Sequence, residues 1–146
     1  MKIKITNAKI EHKPYLLKAN AEINQVNEEM HISNFSKNLD KDYFCKHPKF
    51  KCLVALVNNQ PVGMLLYSKM YWADDGEVIW ISQTHVIKEF RKYGIFFKLI
   101  KALKNKNKNT KILACATGKS NKTMQKLLNF AGGKQMDLLF YYVKLK

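Results

Sequence analysis

The run Arg91-Lys92-Tyr93-Gly94 sets two cationic side chains and a glycine between an apolar, β-branched stretch, 78–86, and a helical repeat that begins at Ile95. A strand that turns into a helix through such a loop offers an anion unpaired backbone N–H groups, the positive end of a helix dipole and two cations. Gly94 has no Cβ to hold a phosphate away from the backbone. Arg91 is the only arginine among 26 basic residues, and its planar fork suits phosphate oxygens. The ligand this turn fits is a phosphate or pyrophosphate, and His85, Val86, Ile95, Phe96 and Phe97 flank it in sequence.

Two elements have to position the turn. The stretch Val78-Ile79-Trp80-Ile81-Ser82-Gln83-Thr84-His85-Val86 has the β-branched and aromatic content of a strand buried on both faces. Beyond the turn, Ile95, Phe96, Leu99, Ile100 and Leu103 recur at helical spacing, and Lys98, Lys101 and Asn105 take the opposite face.

The pattern Val86-x-x-x-x-Arg91-x-x-Gly94-x-Phe96 resembles the cofactor motif of the GNAT N-acetyltransferase superfamily, in which a hydrophobic strand residue precedes (Arg/Gln)-x-x-Gly-x-(Gly/Ala). Phe96 stands where that family usually has glycine or alanine. A second segment is similar to the family's Asn-x-x-Ala-x-x-x-Tyr-x-x-x-Gly: Asn121 matches the cofactor-contacting asparagine and Gly132 the terminal glycine. Leu128 falls where many members carry the tyrosine that protonates the departing thiolate. The resemblance implies an α/β (α+β) fold, a mixed and mainly antiparallel sheet flanked by helices, in one domain over 1–146. It also implies acetyl-CoA or coenzyme A held by His85, Val86, residues 91–97 and Asn121, and an acetyl group passed to a primary amine.

At 146 residues the chain has the size of one domain. It contains no 18-residue apolar run, and Met1-Lys2-Ile3-Lys4-Ile5 has a strand's alternation and no signal-peptide pattern, so a cytoplasmic protein away from the membrane is expected. Cys45, Cys52 and Cys115 are odd in number and lack metal spacing, which points to reduced thiols and no metal site. Lysine and asparagine dominate the polar residues, a bias that drift toward A-rich codons produces without selecting a ligand. The net charge of +15 is nevertheless uneven: from Phe90 to Lys146 fourteen basic residues face the single acid Asp137. A field of that sign draws coenzyme A and nucleic acid alike.

Taken in order, Lys2 to Thr6 alternates as a strand, and Pro14 fits the first turn of a helix running to about residue 27, with Leu16, Leu17, Ala21 and Ile23 or Val26 inward. Ser33 opens a second helix, 34–44, ended by His47-Pro48. In the family this helical pair shapes the acceptor pocket. Residues 52–57 and 61–68 form a hairpin about Asn58-Asn59-Gln60, and Ala73 to Gly76 turns the chain into the central strand. The polar run 104–109 is a solvated loop or frayed helix end, 111–116 is a strand, and a helix follows Asn121 with Met124, Leu127, Leu128 and Ala131 inward. By the family plan the strand at 111–116 lies parallel to the central one and splays from it to admit the pantetheine arm. Met136 to Leu145 makes one long or two short closing strands.

Acetyl transfer to an amine needs a base, because an amine of the lysine kind is protonated up to a pH of about 10.4. His85 and Glu77 are the candidates; read otherwise, one is a hydrogen-bonded strand histidine and the other caps a turn with Asp74 and Asp75. An oxyanion can be held by a backbone N–H freed at a bulge, which the family analogy places near His85-Val86. Tyr141 or Tyr142 could replace the missing tyrosine as acid. The acceptor is a small-molecule, protein or tRNA-borne amine. The competing reading is a GNAT scaffold weakened in catalysis that binds nucleic acid through the lysines of 98–111.

Overall fold

The structure is a computed structural model that describes residues 1–26 and 34–145. The chain runs β1 (Ile3–Asn7), α1 (Lys13–Val26), α2 (Phe35–Asp42), β2 (Lys51–Val57), β3 (Gln60–Trp72), β4 (Gly76–Val86), α3 (Ile95–Lys106), β5 (Ile112–Cys115) and α4 (Lys122–Phe130). The sheet order is β1-β2-β3-β4-β5. Neighbours are antiparallel from β1 to β4, and β4 pairs with β5 in parallel. The mixed, mainly antiparallel sheet implied by the sequence is therefore what forms.

Helices cover both faces. On one, Leu16, Ala19 and Ile23 of α1 with Phe35 and Leu39 of α2 pack on Cys52, Val54, Leu56, Met64 and Leu66. On the other, Ile95, Leu99 and Leu103 of α3 pack on Leu53, Ala55, Leu65, Ile79 and Ile81. Alternate residues of β2 thus enter different cores, which is why its sequence is apolar without a break from Cys52 to Val57. Each fully buried Leu or Ile contributes about 1.5–3 kcal/mol. Asn58 and Asn59 both adopt positive φ, 49° and 61°, and make the two-residue turn whose twist matches the flanking strands.

Several expectations shift in detail. The buried residues of α1 are Leu16, Ala19, Asn20 and Ile23, while Ala21 is exposed. The i, i+3, i+4, i+7 stripe starts at Leu16 and passes Ala21 by. Ser33, expected to open the second helix, lies outside the described residues. That helix ends at Asp42, and Tyr43 folds back so that its buried hydroxyl donates to Ala8 O at 2.8 Å. The strand β3 runs on to Trp72, and α3 takes in the first part of the Lys/Asn run, where Asn107 Nδ2 donates to Leu103 O at 2.9 Å and closes the helix. Ala131, expected inward, is exposed just past the end of α4.

The closing strands do not form: among the described residues no strand follows β5. The chain leaves α4 and passes the face of β4, with the Phe140 ring parallel to Trp80 at 6.4 Å between centroids, instead of entering the sheet plane. Phe140 and Tyr141 stay 80% exposed.

One contact sets where α3 begins. Gly63 pairs with Val86, and a Cβ at Gly63 would lie 2.8 Å from Ile95 Cγ2. The absence of a side chain on β3 is what lets the first turn of α3 approach the sheet. Gly63→Val should cost about 1–3 kcal/mol by overpacking, read as a lowered midpoint in urea denaturation. Unchanged stability would mean that α3 does not need this approach.

Candidate functional site

The site is built where β4 loses a neighbour. Val78 to Ile81 pair with Ile112 to Cys115, but β4 continues to Val86 while β5 ends. Residues 82–86 therefore have a strand on the β3 side only, among the described residues. A bulge sits at the fork: Leu66 pairs with Gln83 and Tyr67 with Ile81, which leaves Ser82 as the extra residue. The bulge was expected near His85-Val86, yet those residues keep regular register with Met64 and Gly63. An added residue raises local twist, and the twist turns β4 away from β5 at the point where they part. Just beyond β5, Thr117 Oγ1 is buried with no hydrogen-bond partner among the described residues.

Below the fork lies the basic turn. Lys88–Tyr93 is a 3-10 helix, which sequence reading took for a loop, and it hands over to α3 at Gly94 with φ 67°. That left-handed conformation favours glycine. Arg91 Nε donates to Val86 O at 3.0 Å, tying the turn to the end of β4 while the side chain stays exposed with Lys92 and Tyr93. The first helical bond of α3 runs from Lys98 N–H to Gly94 O at 3.2 Å, so the N–H groups of Ile95, Phe96 and Phe97 have no partner within the helix. Phe96, bulky where the motif has a small residue, turns inward with 7% exposure and packs edge-on against Phe97. Its side chain is out of the cradle. Asn121 Oδ1 accepts from Met124 N–H at 3.2 Å and caps α4.

The sheet face above carries a chain of polar groups that the sequence did not reveal. His85 is buried, with Nε2 at 2.6 Å from Glu22 Oε2 and Nδ1 at 3.1 Å from Tyr15 Oη. The carboxylate fixes the ring hydrogen on Nε2, which leaves Nδ1 to accept from the phenol. Burial, then the neighbouring Cys52 and Glu22, push the Tyr15 phenol far above its ordinary pKa and keep it a donor. Beside this chain Asn20 Nδ2 donates to Gln83 Oε1 at 3.2 Å. Tyr15 and Glu22 are seven apart in α1 and so fall on one face; that spacing is the signal the sequence holds, and it runs alongside the apolar stripe. Glu77 lies at the other end of β4, eight residues or roughly 26 Å from His85. There Thr110 Oγ1 donates to it at 2.7 Å and holds its carboxyl below the usual range, with Lys69 at 3.4 Å.

The sequence profile of the Acetyltransferase (GNAT) family matches residues 18–132. No curated protein matches the sequence. Among solved structures, a possible acetyltransferase from Clostridium difficile 630 superposes with a TM-score of 0.80 at 21% identity, over 100% of this chain and 99% of that one. AAC(6')-Iy, in complex with a bisubstrate analogue of coenzyme A, gives 0.76 at 16% identity over 99% of both chains. A ribosomal-protein-alanine N-acetyltransferase from Brucella melitensis biovar Abortus 2308 gives 0.75 at 16%, over 99% and 100%.

The thiols provide a check on the geometry of the fork. Cys45 is exposed, burial raises Cys115 above its ordinary pKa, and burial pushes Cys52 up to about 12. Only about one Cys52 in a thousand is thiolate at pH 9. A disulfide reagent at pH 8 should label Cys45 fast, Cys115 slowly and Cys52 only on unfolding. Acetyl-CoA, whose thiol is capped, should slow the Cys115 phase, and equal rates at the three would contradict the placement.

Proposed function

The chain belongs to the GNAT acetyltransferase family, and from that premise we propose that it moves an acetyl group from acetyl-CoA to a primary amine. The observation that carries this is the fork: β4 runs five residues past its last pair with β5 and leads into the basic turn at Lys88–Tyr93. The residues present fit coenzyme A. Its pyrophosphate suits the N–H groups of 95–97 with Arg91 and Lys92, and its amide-bearing arm suits the unpaired β4 edge and the Thr117 hydroxyl. Asn121, at the head of α4, completes the set. Bound there, acetyl-CoA supplies the activated acetyl thioester.

The chain's own part is to hold the amine and take its proton. Glu22 is 43% exposed in its side chain, so a cationic amine entering beside α1 meets a carboxylate backed by His85. The hydrogen bonds are ordered for one direction of transfer: as Tyr15 Oη takes the amine proton, its own hydrogen passes to His85 Nδ1 and the Nε2 hydrogen passes to Glu22, which faces water. His85 thus acts as a relay and not as an isolated base. A backbone N–H of β4 near the Ser82 bulge would receive negative charge on the acetyl oxygen, a role the register shift there supports. The similarity in fold to enzymes whose names specify aminoglycosides and a ribosomal protein supports an amine acceptor of small-molecule or protein kind. A cytoplasmic setting fits the free thiols. A second reading, contact with nucleic acid, rests on Lys98, Lys101 and Lys104, all exposed along α3; it requires binding that weakens steeply with salt.

Calorimetric titration with acetyl-CoA and coenzyme A, on the wild type and on Gly94→Trp, tests the cofactor site. Saturable micromolar binding that the variant loses is the expected result, and no binding at low salt overturns the reading. For the relay, His85→Gln should lower kcat by roughly 10²–10⁴, and Tyr15→Phe and Glu22→Gln by roughly 10-fold or more, with coenzyme A affinity unchanged. Full turnover in Tyr15→Phe would remove the relay.

A further inference from the structure

The sheet face under α3 carries a second polar site, at the end away from the fork. Lys51 of β2 pairs directly with Tyr67 of β3, and Lys69 follows Tyr67 on the same face of its strand. Tyr67 shares the core beneath α3 with Leu53 and Leu65, so this is the face that α3 covers. Lys106 at the end of α3 and Lys49 and Phe50 ahead of β2 line the same cleft, which has a volume of about 410 Å³. We propose that this cleft binds a small phosphate monoester, a sugar phosphate or a nucleotide, at a site separate from the basic turn at Lys88–Tyr93.

Tyr67 is what distinguishes the cleft from a solvated lysine face. The residue is only 5% exposed and lines the cleft, yet its hydroxyl has no hydrogen-bond partner among the described residues. A buried phenol usually finds an acceptor, and leaving one unmet costs about 1–3 kcal/mol. The other buried phenol, Tyr43, does find one, in Ala8 O at 2.8 Å. A phosphate oxygen in the cleft would accept from Tyr67. The charge around it has the matching sign. Lys49 is paired with Asp42 at 2.8 Å and Lys69 with Glu77 at 3.4 Å, whereas Lys51 and Lys106 have no carboxylate partner among the described residues. Four lysines against two carboxylates leave two positive charges for a dianion. The C-terminal end of α3 adds partial negative charge, but Asn107 occupies the Leu103 and Lys104 carbonyls there through Nδ2 and its backbone N–H.

The dimensions call for a ligand with a body as well as a phosphate. Small-molecule sites run from roughly 300 to 1,000 Å³, so a bare phosphate would leave most of this one empty. Phe50, half-buried and stacked on Tyr43 at 5.4 Å between centroids, supplies an apolar wall, and Ser68 and Asn107 add polar groups suited to sugar hydroxyls. The two ends of α3 keep the sites apart: the helix has 12 residues, about 18 Å, with the basic turn before its first residue and the cleft at its last.

Calorimetric titration at near-physiological ionic strength tests the site. Ribose 5-phosphate and adenosine 5′-monophosphate are compared with ribose, adenosine, inorganic phosphate and an RNA oligonucleotide, on the wild type, Gly94→Trp, Lys51→Gln with Lys106→Gln, and Tyr67→Phe. The expected result is saturable binding of the phosphate esters and not of ribose or adenosine. That binding should persist in Gly94→Trp, weaken roughly 10-fold or more in the double lysine variant and weaken also in Tyr67→Phe. In amine-modification mass spectrometry the bound ester should protect Lys51 and Lys106 while Lys98 and Lys101 react as before. Equal affinity for the two esters assigns the body contact to the sugar, and tighter binding of the nucleotide assigns it to the base. Binding that Gly94→Trp loses and the lysine variant keeps would place the ester at the basic turn. Inorganic phosphate binding as tightly as the esters, binding of the RNA alone, or no saturable binding at all would each overturn the proposal.

Discussion

The structure depends on a backbone hydrogen-bond deficit along β4. Buried N–H and C=O groups are almost always paired, yet this central strand has β3 along its whole length and β5 along only its first part. The deficit is created by the Ser82 bulge, which adds twist, and by the shortness of β5, four residues against eleven. Beside it, the missing side chain at Gly63 lets Ile95 seat the first turn of α3 against the sheet. Whatever enters the fork completes the pairing that the fold withholds.

Charge is arranged around that opening with opposite signs on its two sides. The basic turn, Arg91 and Lys92, lies below it and α3 continues the positive face through Lys98 and Lys101. On the other side of the sheet, Glu22 presents a half-exposed carboxylate beside the buried His85 and the half-buried Tyr15.

The incomplete edge of the sheet has a second consequence. A short last strand is also a poor terminator, since among the described residues no strand pairs with the outer side of β5. Opening the slot and exposing the edge are two results of one short strand.

The sequence by itself determined the local elements. The β-branched run at 78–86, the stripe from Ile95 to Leu103 and the Asn58-Asn59 turn are set by side-chain periodicity and backbone preference within a few residues, and each appears where it was read. Arg91 and Gly94 were legible as a basic turn into a helix for the same reason: cations, helix start and positive φ are neighbours in the chain. Tertiary structure alone decided what crosses between elements. Tyr15, Glu22 and His85 come together over 63 and 70 residues of separation, and no local pattern encodes which face of α1 meets which row of β4. The bulge moved from His85-Val86 to Ser82 because register is a property of two strands. The tail failed to close the sheet because an apolar run specifies burial but not the edge that provides it.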